Sequence, residues 1–513
     1  MSSTDLLLVT RAARLRDTRA IIDCDGTYSY ADLLDASSRM AAALLADRAD
    51  LSEERIAFLV APGFPWVAVQ WGIWLAGGIA VPLPLNTPAA ELQYYVNDAQ
   101  ASTLIYDSTN ESVAIVLSSA CGIPTYAYRD LFARKLETAL PAIAAPRRAM
   151  ILYTSGTTTR PKGVVTTHAN ITAQIESLME AWEWSPDDRI VLCLPLHHVH
   201  GIINVVSCAL WSGAVCEMLP RFDANAVWER VASEQLTLFM AVPTIYVKLI
   251  AAWEAAPPER RTELSKAAAK LRLMVSGSAA LPVSTLERWK QITGHTLLER
   301  YGMTEIGMAI SNPYRGRRVP GSVGRPLPGV EVRLTGENGQ DVPAGAPGEI
   351  EVRGPNVFLE YWRRPDATRE AFRDGWFRTG DMAIAENGVY RILGRTNIDI
   401  LKTGGHKVSA LEIEETLRQH HAIAECAVVG VPDPEWGERV AVAVVLRNGS
   451  VLEFEELRAW CKQRLAAHKV PSRLLVLEAL PRNAMGKVTK PAVVTLFQSR
   501  SLASSCSPDK GNR

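Results

Sequence analysis

The sequence predicts an α/β fold in three parts. A large N-terminal domain of layered, largely parallel sheets with helices comes first, a β-rich subdomain closes it, and a small mobile α+β C-terminal domain follows. Three observations predict this. Short apolar runs alternate with helix-like segments over most of the chain, these runs end in polar or glycine turns, and the pattern changes near residues 331 and 395.

The uncharged stretch from Ile56 to Asn86 is predicted to form a buried βαβ unit. Its order is strand (IAFLV), helix (WVAVQWGIWLA) and strand (IAVPL). Prolines and glycines divide it, and its longest unbroken piece, about 66 to 76, is shorter than the roughly 20 residues of a membrane span. No membrane span is therefore expected. Similar strands follow at STLIYD, AMILYTS, DRIVLCLPL, LTLFMAVPT, LRLMVSGSA and TLLERYG.

From about Glu331 the strands take an antiparallel pattern, which predicts the β-rich subdomain. Beyond Arg395, Ser409 and Glu412 have the spacing of a capping box before the helix LEIEETLRQHH, and two strands and a helix follow. The predicted domains are residues 1–394 and residues 395–498. Residues 499–513 have the composition of a disordered tail.

The charge balance favours a small-molecule ligand. Lys and Arg total 55, as do Asp and Glu, so no net field attracts nucleic acid or an anionic membrane. The eight cysteines have no CxxC or zinc-type spacing and are expected to be reduced thiols. The first residues lack the pattern of a secretory signal, so a cytoplasmic protein is predicted, or one of the mitochondrial matrix in a eukaryote, since RAARLR is basic and amphipathic.

The segment YTSGTTTRPKGVV, from Tyr153 to Val165, follows an apolar strand and combines hydroxyls, a glycine and a lysine. Hydroxyls and backbone N–H groups in a tight turn bind anions, and Lys162 adds a point charge. A Thr-rich solvated turn is the alternative. Pro161 and Gly163 flank the lysine where a Walker loop needs a glycine and a hydroxyl, so a Walker-type kinase is not favoured.

This segment resembles the phosphate-loop signature of the acyl-adenylate-forming superfamily, which includes the acyl-CoA synthetases. Further segments resemble signatures of that superfamily in its usual order and extend the resemblance over nearly the whole chain. They are LPLHHVHG (194–201), VSGSAALP (275–282), YGMTE (301–305), WFRTGD (376–381), GRTNID (394–399), KTGGHK (402–407) and PRNAMGK (481–487).

The resemblance implies ATP, CoA and Mg²⁺ as cofactors and a role for each motif residue. Residues 1–394 would be the AMP-binding (adenylation) domain. Residues 395–498 would be a mobile domain with a hinge at 395–399, and it would carry Lys487, the catalytic lysine of adenylation. Glu305 would hold Mg²⁺, His198 would shield the thiol tunnel, and Gly404 and Gly405 would let the pantetheine arm approach the backbone. The residues implied for ATP are Thr154, Ser155, Gly156, Thr157, Thr158, Lys162, Gly277, Ser278, Ala279, Tyr301, Thr304, Asp381 and Arg395.

Arg300 stands before Tyr301, where many relatives have glycine. A guanidinium there would shorten the acyl pocket and could hold the second carboxylate of a short diacid, with His200 as another donor and Ser276 beside them. The alternative is that Arg300 pairs with Glu299 or a surface acid. The surrounding segments, with FMAVPTIY and SNPYRGRRVPGSVG, are similar to the malonyl-CoA synthetases, which implies malonate as substrate, or methylmalonate if the pocket admits a methyl group.

Three other functions stay open on the sequence. A CoA ligase for another short, medium-chain or aromatic acid would leave Arg300 a structural role. A non-catalytic nucleotide-binding protein would keep the ATP site without the chemistry, although Lys487 in its motif argues against it. An adenylation domain that loads a carrier protein is the third. Either a monomer or a homodimer is expected.

Overall fold

The structure is a computed structural model of the 513-residue chain, and it describes residues 6–134, 138–154, 160–482 and 488–505. The chain divides into two compact units. The first comprises Met1–Leu281, Thr285–Val332 and Val352–Phe377, and the second comprises Pro282–Ser284, Arg333–Glu351 and Arg378–Arg513.

The strands have the following bounds: β1 Arg19–Ile22, β2 Thr27–Ser29, β3 Arg55–Leu59, β4 Ile79–Pro82, β5 Thr103–Tyr106, β6 Thr125–Ala127, β7 Arg148–Thr154, β8 Lys162–Thr167, β9 Arg189–Leu192, β10 Val215–Met218, β11 Leu238–Ala241, β12 Leu273–Ser276, β13 Leu298–Met303, β14 Gly307–Ser311, β15 Arg325–Pro326, β16 Glu331–Thr335, β17 Gly348–Arg353, β18 Glu360–Tyr361, β19 Phe372–Arg373, β20 Trp376–Glu386, β21 Val389–Arg395, β22 Ile400–Thr403, β23 His406–Ser409, β24 Ile423–Asp433, β25 Gly437–Leu446 and β26 Arg473–Val476.

The α-helices are α1 Leu7–Ala12, α2 Tyr30–Leu45, α3 Phe64–Leu75, α4 Ala89–Ala99, α5 Glu111–Cys121, α6 Tyr128–Ala133, α7 His168–Trp182, α8 Cys208–Ser212, α9 Ala224–Ala232, α10 Pro243–Ala255, α11 Pro258–Ala268, α12 Val283–Thr293, α13 Pro365–Ala371, α14 Ala410–Leu417, α15 Phe454–Lys462 and α16 Lys490–Ser505. Short 3₁₀ helices span Ser108–Asn110 and Ala467–Lys469, and a π-helix spans His200–Ser207.

A nine-stranded sheet in the first unit has the order β15-β14-β13-β12-β11-β9-β10-β1-β2. Its central pairs, from β13 through to β1, are all parallel, while β14, β15 and β2 add antiparallel edges. The carboxyl ends of the parallel strands lie on one edge of the sheet, which is where ligands bind in open α/β sheets. The predicted largely parallel architecture is confirmed.

A seven-stranded sheet in the same unit has the order β18-β8-β7-β4-β3-β5-β6. Strands β3 and β4 are parallel and α3 connects them, so the predicted βαβ unit is confirmed. Every residue of α3 but Pro65 is buried, including its one polar residue, Gln70, because a helix that is apolar on all sides has no face to present to water. No helix among the described residues has the length and apolarity to cross a membrane.

Two five-stranded sheets follow. One has the order β16-β17-β20-β19 with β21 on β20, and the chain passes from one unit to the other within β16, β17 and β20. The other, in the second unit, has the order β23-β22-β25-β24 with β26 on β25. The pairs β19–β20 and β20–β21 are antiparallel, as predicted for the β-rich subdomain.

The predicted capping box in the second unit is confirmed in part. The Ser409 hydroxyl accepts a hydrogen bond from the Glu412 N–H at 3.2 Å and caps α14, but the Glu412 carboxylate binds Lys469 at 2.6 Å. Helix α16 continues to Ser505, beyond the residue at which the predicted tail begins. The division into residues 1–394 and 395–498 stays a prediction.

Candidate active site

Strands β12 and β13 position the residues predicted to hold the acid. Ser276 ends β12, and Gly277, Ser278 and Ala279 form the turn that follows it. Arg300 lies in β13, which pairs in parallel with β12. Ser278 adopts a φ of +68°, a left-handed conformation that non-glycine residues rarely take outside special turns.

Arg300 is buried, with 3% of its surface exposed. Its Nη2 donates a hydrogen bond to the Ser278 hydroxyl at 3.2 Å, and its Nε and Nη1 have no partner among the described residues. No carboxylate among those residues pairs with it, so the alternative in which Glu299 neutralises Arg300 is not supported. Burial lowers the Arg300 pKa from 12.5 to about 9.

His200 extends this cluster and begins the π-helix His200–Ser207. Its Nδ1 lies 3.5 Å from the Ser278 hydroxyl, which connects it to Arg300. Burial, and then the charge of Arg300, lower the His200 pKa well below 6.5, so the ring is neutral near pH 7. Ser278 thus bridges the two residues predicted to bind the acid.

Several buried polar atoms around this cluster lack partners among the described residues. They are Arg300 Nε and Nη1, His200 Nε2, the Ser276 hydroxyl and both amide atoms of Asn204. Buried polar groups are normally hydrogen-bonded, so such a concentration indicates a place for a polar ligand. Because a guanidinium only donates and stays cationic, the ligand that fits Arg300 is an anion.

The stem of the predicted phosphate loop is an antiparallel pair in which Thr154 lies opposite Lys162. Lys162 Nζ lies 4.8 Å from the centre of the Tyr361 ring, and the Tyr361 hydroxyl donates to Glu305 Oε1 at 2.9 Å. One tyrosine therefore connects the loop lysine to the predicted metal carboxylate. Ser155, Gly156, Thr157 and Thr158 lie outside the described residues, as does Lys487.

Thr304 and Glu305 lie in the turn between β13 and β14, directly after Tyr301 in β13. Glu305 is 5% exposed, and among the described residues no group of three or more His, Cys, Asp or Glu is arranged to hold a metal ion. A site with one oriented carboxylate fits Mg²⁺, because this ion takes one or two protein carboxylates and completes its shell with water and substrate phosphates.

The rings of His197 and His198 contact each other just before the π-helix, with centroids 4.2 Å apart and planes tilted by 53°. Desolvation lowers the pKa of the half-buried His197 to about 4, so its ring is neutral near pH 7. His198 is less buried than His200 and lies on the connection from β9. Its predicted role at the thiol tunnel stays a prediction.

In the second unit, Asp381 and Arg395 are directly opposite in the β20–β21 pair, with Arg395 Nε 3.1 Å from Asp381 Oδ1. The two predicted ribose contacts are therefore neighbours. Gly404 and Gly405 form the two-residue hairpin between β22 and β23 with φ of +55° and +79°, as a type I′ turn requires. A Cβ on Gly404 would lie 2.9 Å from the Trp436 ring, so this hairpin approaches a side chain closely.

Two features of the site were not predicted. Ser278 was assigned to ATP, and its hydroxyl contacts Arg300 and His200, which were assigned to the acid. Tyr361, which orients Glu305, belongs to no motif and pairs through β18 with β8. No sequence signal identifies such a residue, because its contact depends on sheet order alone.

The parallel sheets, the Thr/Lys loop stem and the oriented carboxylate define a class of α/β enzyme that binds a nucleotide phosphate. The chain belongs to the AMP-binding enzyme family. The family model matches residues 8–362, and the model of the AMP-binding enzyme C-terminal domain matches residues 412–487.

Named relatives are similar over most of the chain. The mitochondrial malonate–CoA ligase of Bos taurus is 46% identical and the match covers 94% of this chain and 88% of that protein. The malonate–CoA ligase of Arabidopsis thaliana is 41% identical, with 92% and 85% covered. The crystal structure of ATP-bound MatB from Rhodopseudomonas palustris superposes with a TM-score of 0.89 at 34% identity, with 96% and 99% covered.

Proposed function

We propose that this enzyme is a malonyl-CoA synthetase, which ligates malonate to CoA with ATP through a malonyl-AMP intermediate and releases AMP and pyrophosphate. The observation that carries the choice of acid is Arg300, a buried guanidinium with two nitrogens that have no partner among the described residues. The names of the bovine and Arabidopsis relatives support the same acid. Methylmalonate is a further substrate if a methyl group fits.

Arg300 would bind the carboxylate that does not react. The cost of burying a guanidinium without a counter-ion is recovered when a dianionic acid supplies one, whereas a fatty or aromatic acid leaves the cation unpaired. The neutral His200 ring and the Ser276 hydroxyl would add hydrogen bonds without competing for the negative charge. Selectivity for a short diacid follows from this arrangement.

The remaining site residues keep their proposed roles. The phosphates would be held by Lys162 and Thr154 at the loop stem, with Ser155, Gly156, Thr157 and Thr158, and by Thr304. Adenine would lie against Tyr301 and the turn at Gly277, Ser278 and Ala279, and the ribose against Asp381 and Arg395. Lys487 would bridge the acid and the α-phosphate during adenylation.

Glu305 would hold Mg²⁺, which neutralises charge on the phosphates when it is bound. Tyr361 fixes the Glu305 carboxylate by donating to its Oε1, so the oxygen that faces the metal is defined before binding. Lys162 supplies a second positive charge close to the same tyrosine.

CoA would approach the backbone at Gly404 and Gly405, with His198 at the thiol tunnel. We further propose that residues 395–498 act as the mobile domain, pivoting within 395–399, and that the enzyme is a monomer or homodimer. The compartment is the cytosol or, as in the name of the bovine relative, the mitochondrion.

The test is CoA-dependent AMP formation by the purified enzyme with malonate, methylmalonate, acetate, octanoate and benzoate. It is run on wild type, Arg300→Met and a surface control, Arg315→Met, whose arginine pairs with Glu183 in solvent. Malonate is expected to be the best wild-type acid. Arg300→Met is expected to lose about 30-fold to several thousand-fold in kcat/KM for malonate, while the control keeps it.

Thermal unfolding of Arg300→Met controls for folding. Because methionine removes a buried charge without an ion partner, the variant should melt no lower than wild type without ligand. A preference for octanoate or benzoate with an unaffected Arg300→Met would replace malonate by another acid. No AMP formation with any acid would favour a non-catalytic nucleotide-binding protein, and activity only with a carrier protein would favour a loading domain.

A further inference from the structure

Lys490 lies in the second unit and belongs to none of the motifs. Its side chain is 11% exposed and its Nζ contacts two carboxylates, Asp399 Oδ1 at 2.6 Å and Glu414 Oε1 at 2.8 Å. The two carboxylates are 14% and 6% exposed. Burying an ammonium with two carboxylates costs desolvation free energy, which is recovered only if the geometry of the contacts is closely defined. Such a cluster can therefore fix the segments that it joins.

Asp399 belongs to the segment 395–399, the predicted hinge. Its Oδ2 accepts from the Arg395 N–H at 3.0 Å and its backbone N–H donates to the Arg395 carbonyl at 2.8 Å. A Cβ on Gly394 would lie 2.3 Å from the Asp399 Cβ, so the segment folds tightly onto this residue. Asp399 therefore organises the whole turn that leads out of β21.

Glu414 connects the same lysine to the sheet of the second unit. It lies on α14, its Oε1 also accepts from the Val428 N–H at 2.9 Å, and its Oε2 is 3.2 Å from Arg418 Nη2. Arg418 also pairs with Glu415 at 3.3 Å, so the cluster contains three carboxylates and two cations. Glu414 Oε1 is thus held by a backbone N–H while it contacts Lys490, and the Asp399 carboxylate is held through its other oxygen, Oδ2.

Lys490 also begins α16, at the end of the chain segment that carries Lys487. The stem of that segment is closed by the β-bridge between Arg482 and Val488 and by the Thr489 N–H donating to the Pro481 carbonyl at 2.8 Å. Lys487 directly precedes Val488 in the sequence and lies outside the described residues, whereas Val488 and Thr489 belong to the described stem.

We propose that Lys490 is a positioning residue for the adenylation step, because its contacts with Asp399 and Glu414 fix the base of the segment that carries Lys487 to the segment 395–399. The proposal rests on the proposed function, in which Lys487 acts in adenylation and is withdrawn for thioester formation. According to this proposal, Lys490 is needed for adenylation, the first half-reaction, and is not needed for thioester formation, the second. Burial opposes the charge of Lys490 while the two carboxylates favour it, and the net effect is a raised pKa.

The experiment compares the two half-reactions in Lys490→Met. Adenylation is measured as acid-dependent exchange of pyrophosphate into ATP, and the second step as thioester formation from purified acyl-adenylate and CoA. The acid is the one that wild type uses best. Arg458→Met is the matched control, since Arg458 forms an exposed ion pair on α15 of the same unit.

We expect kcat for the exchange reaction to fall about 10- to 100-fold in Lys490→Met with little change in KM, because misplacement of a catalytic group by about 1 Å has effects of that size. Thioester formation should stay within about twofold of wild type, a change too small to reflect lost transition-state contacts. Lys490→Arg should recover part of the exchange rate because it keeps the charge. Arg458→Met should change neither half-reaction.

A purely structural role would lower both half-reactions by the same factor, and that result would overturn the proposal, as would a lower melting temperature with normal exchange. If Lys490→Met does not fold, Glu414→Gln keeps the volume and weakens one contact, and it should show the same selective loss at smaller amplitude. If wild type shows no pyrophosphate exchange with any acid, the proposed function is refuted. That result differs from those that refute the role of Lys490, so the two proposals can be rejected separately.

Discussion

The guanidinium of Arg300 lies directly against the backbone of Gly277. A Cβ at that position would be 2.5 Å from Arg300 Nε and 2.6 Å from its Cζ. The packing of Arg300 therefore requires a glycine at this position of the VSGSAALP motif. This requirement explains the glycine without a contact to adenine. The residue proposed to bind the acid and the turn proposed to contact the nucleotide are thus packed against each other.

Gly277→Ala should consequently impair use of malonate. The new methyl group forces Arg300 to move, and such overpacking costs about 1–3 kcal/mol. We expect kcat/KM for malonate to fall about 10- to 100-fold. Gly26→Ala, where a Cβ would have only contacts of 3.7 Å or more, is the control. In an Arg300→Met background the alanine should add little further loss, and a fully additive double variant would contradict the coupling.

Tyr361→Phe should weaken the use of Mg²⁺. The variant removes the 2.9 Å hydrogen bond to Glu305 Oε1, and a hydrogen bond to a charged group contributes about 1.5–3 kcal/mol. The Mg²⁺ concentration that gives half-maximal AMP formation at fixed ATP should rise about tenfold, since about 1.4 kcal/mol corresponds to that factor. Tyr126→Phe in β6 is the control. If the Mg²⁺ concentration for half-maximal AMP formation is unchanged, Tyr361 has no role in binding Mg²⁺.

His168 should contribute a measurable part of the acid sensitivity of the fold. The ring is 7% exposed and packs edge-on against Trp74, and burial, followed by the charge of Arg147, lowers its pKa from 6.5 to about 3. Between those values the unfolded chain binds a proton that the folded chain does not. The free energy of unfolding therefore falls as pH decreases from about 6.5 to about 3, and this loss is absent above that window.

His168→Phe removes this titration and keeps an aromatic ring against Trp74. Between pH 6 and pH 4, its unfolding free energy in urea should depend on pH less steeply than that of wild type, by about 1.4 kcal/mol per pH unit for one proton. His197, whose pKa is also lowered by burial, is present in both proteins and does not affect the difference. Identical slopes would mean that His168 is protonated in the folded protein.

The secondary structure of the first unit was largely predictable because its sheets are parallel. Strands such as β3 and β11 are buried on both faces, so they appear in the sequence as short, continuous apolar runs between turns. The strand, helix and strand from residue 55 to 82 match the predicted βαβ unit. Sheet order was not predictable, since it depends on which runs pair across distances of up to about two hundred residues.

The candidate site was predictable to the level of residue type. A lysine among hydroxyls, a glutamate after Tyr301 and an arginine before it all have direct chemical meaning in the sequence. The residues that these side chains contact in the fold cannot be identified from the sequence in the same way. Ser278 touches Arg300 because it adopts a left-handed conformation after β12, and Tyr361 reaches Glu305 because β18 pairs with β8. Such contacts arise from backbone paths that no local pattern encodes.

By itself, the sequence determined the class of fold, the anion-binding loop and the cation at position 300, because each follows from local composition and spacing. Only the tertiary structure decided that this cation is buried without a carboxylate among the described residues, and that Lys490 connects two segments some ninety residues apart. Burial and pairing are properties of surfaces brought together on folding. They set the free energy of a charge, and with it the ligand that the charge can bind.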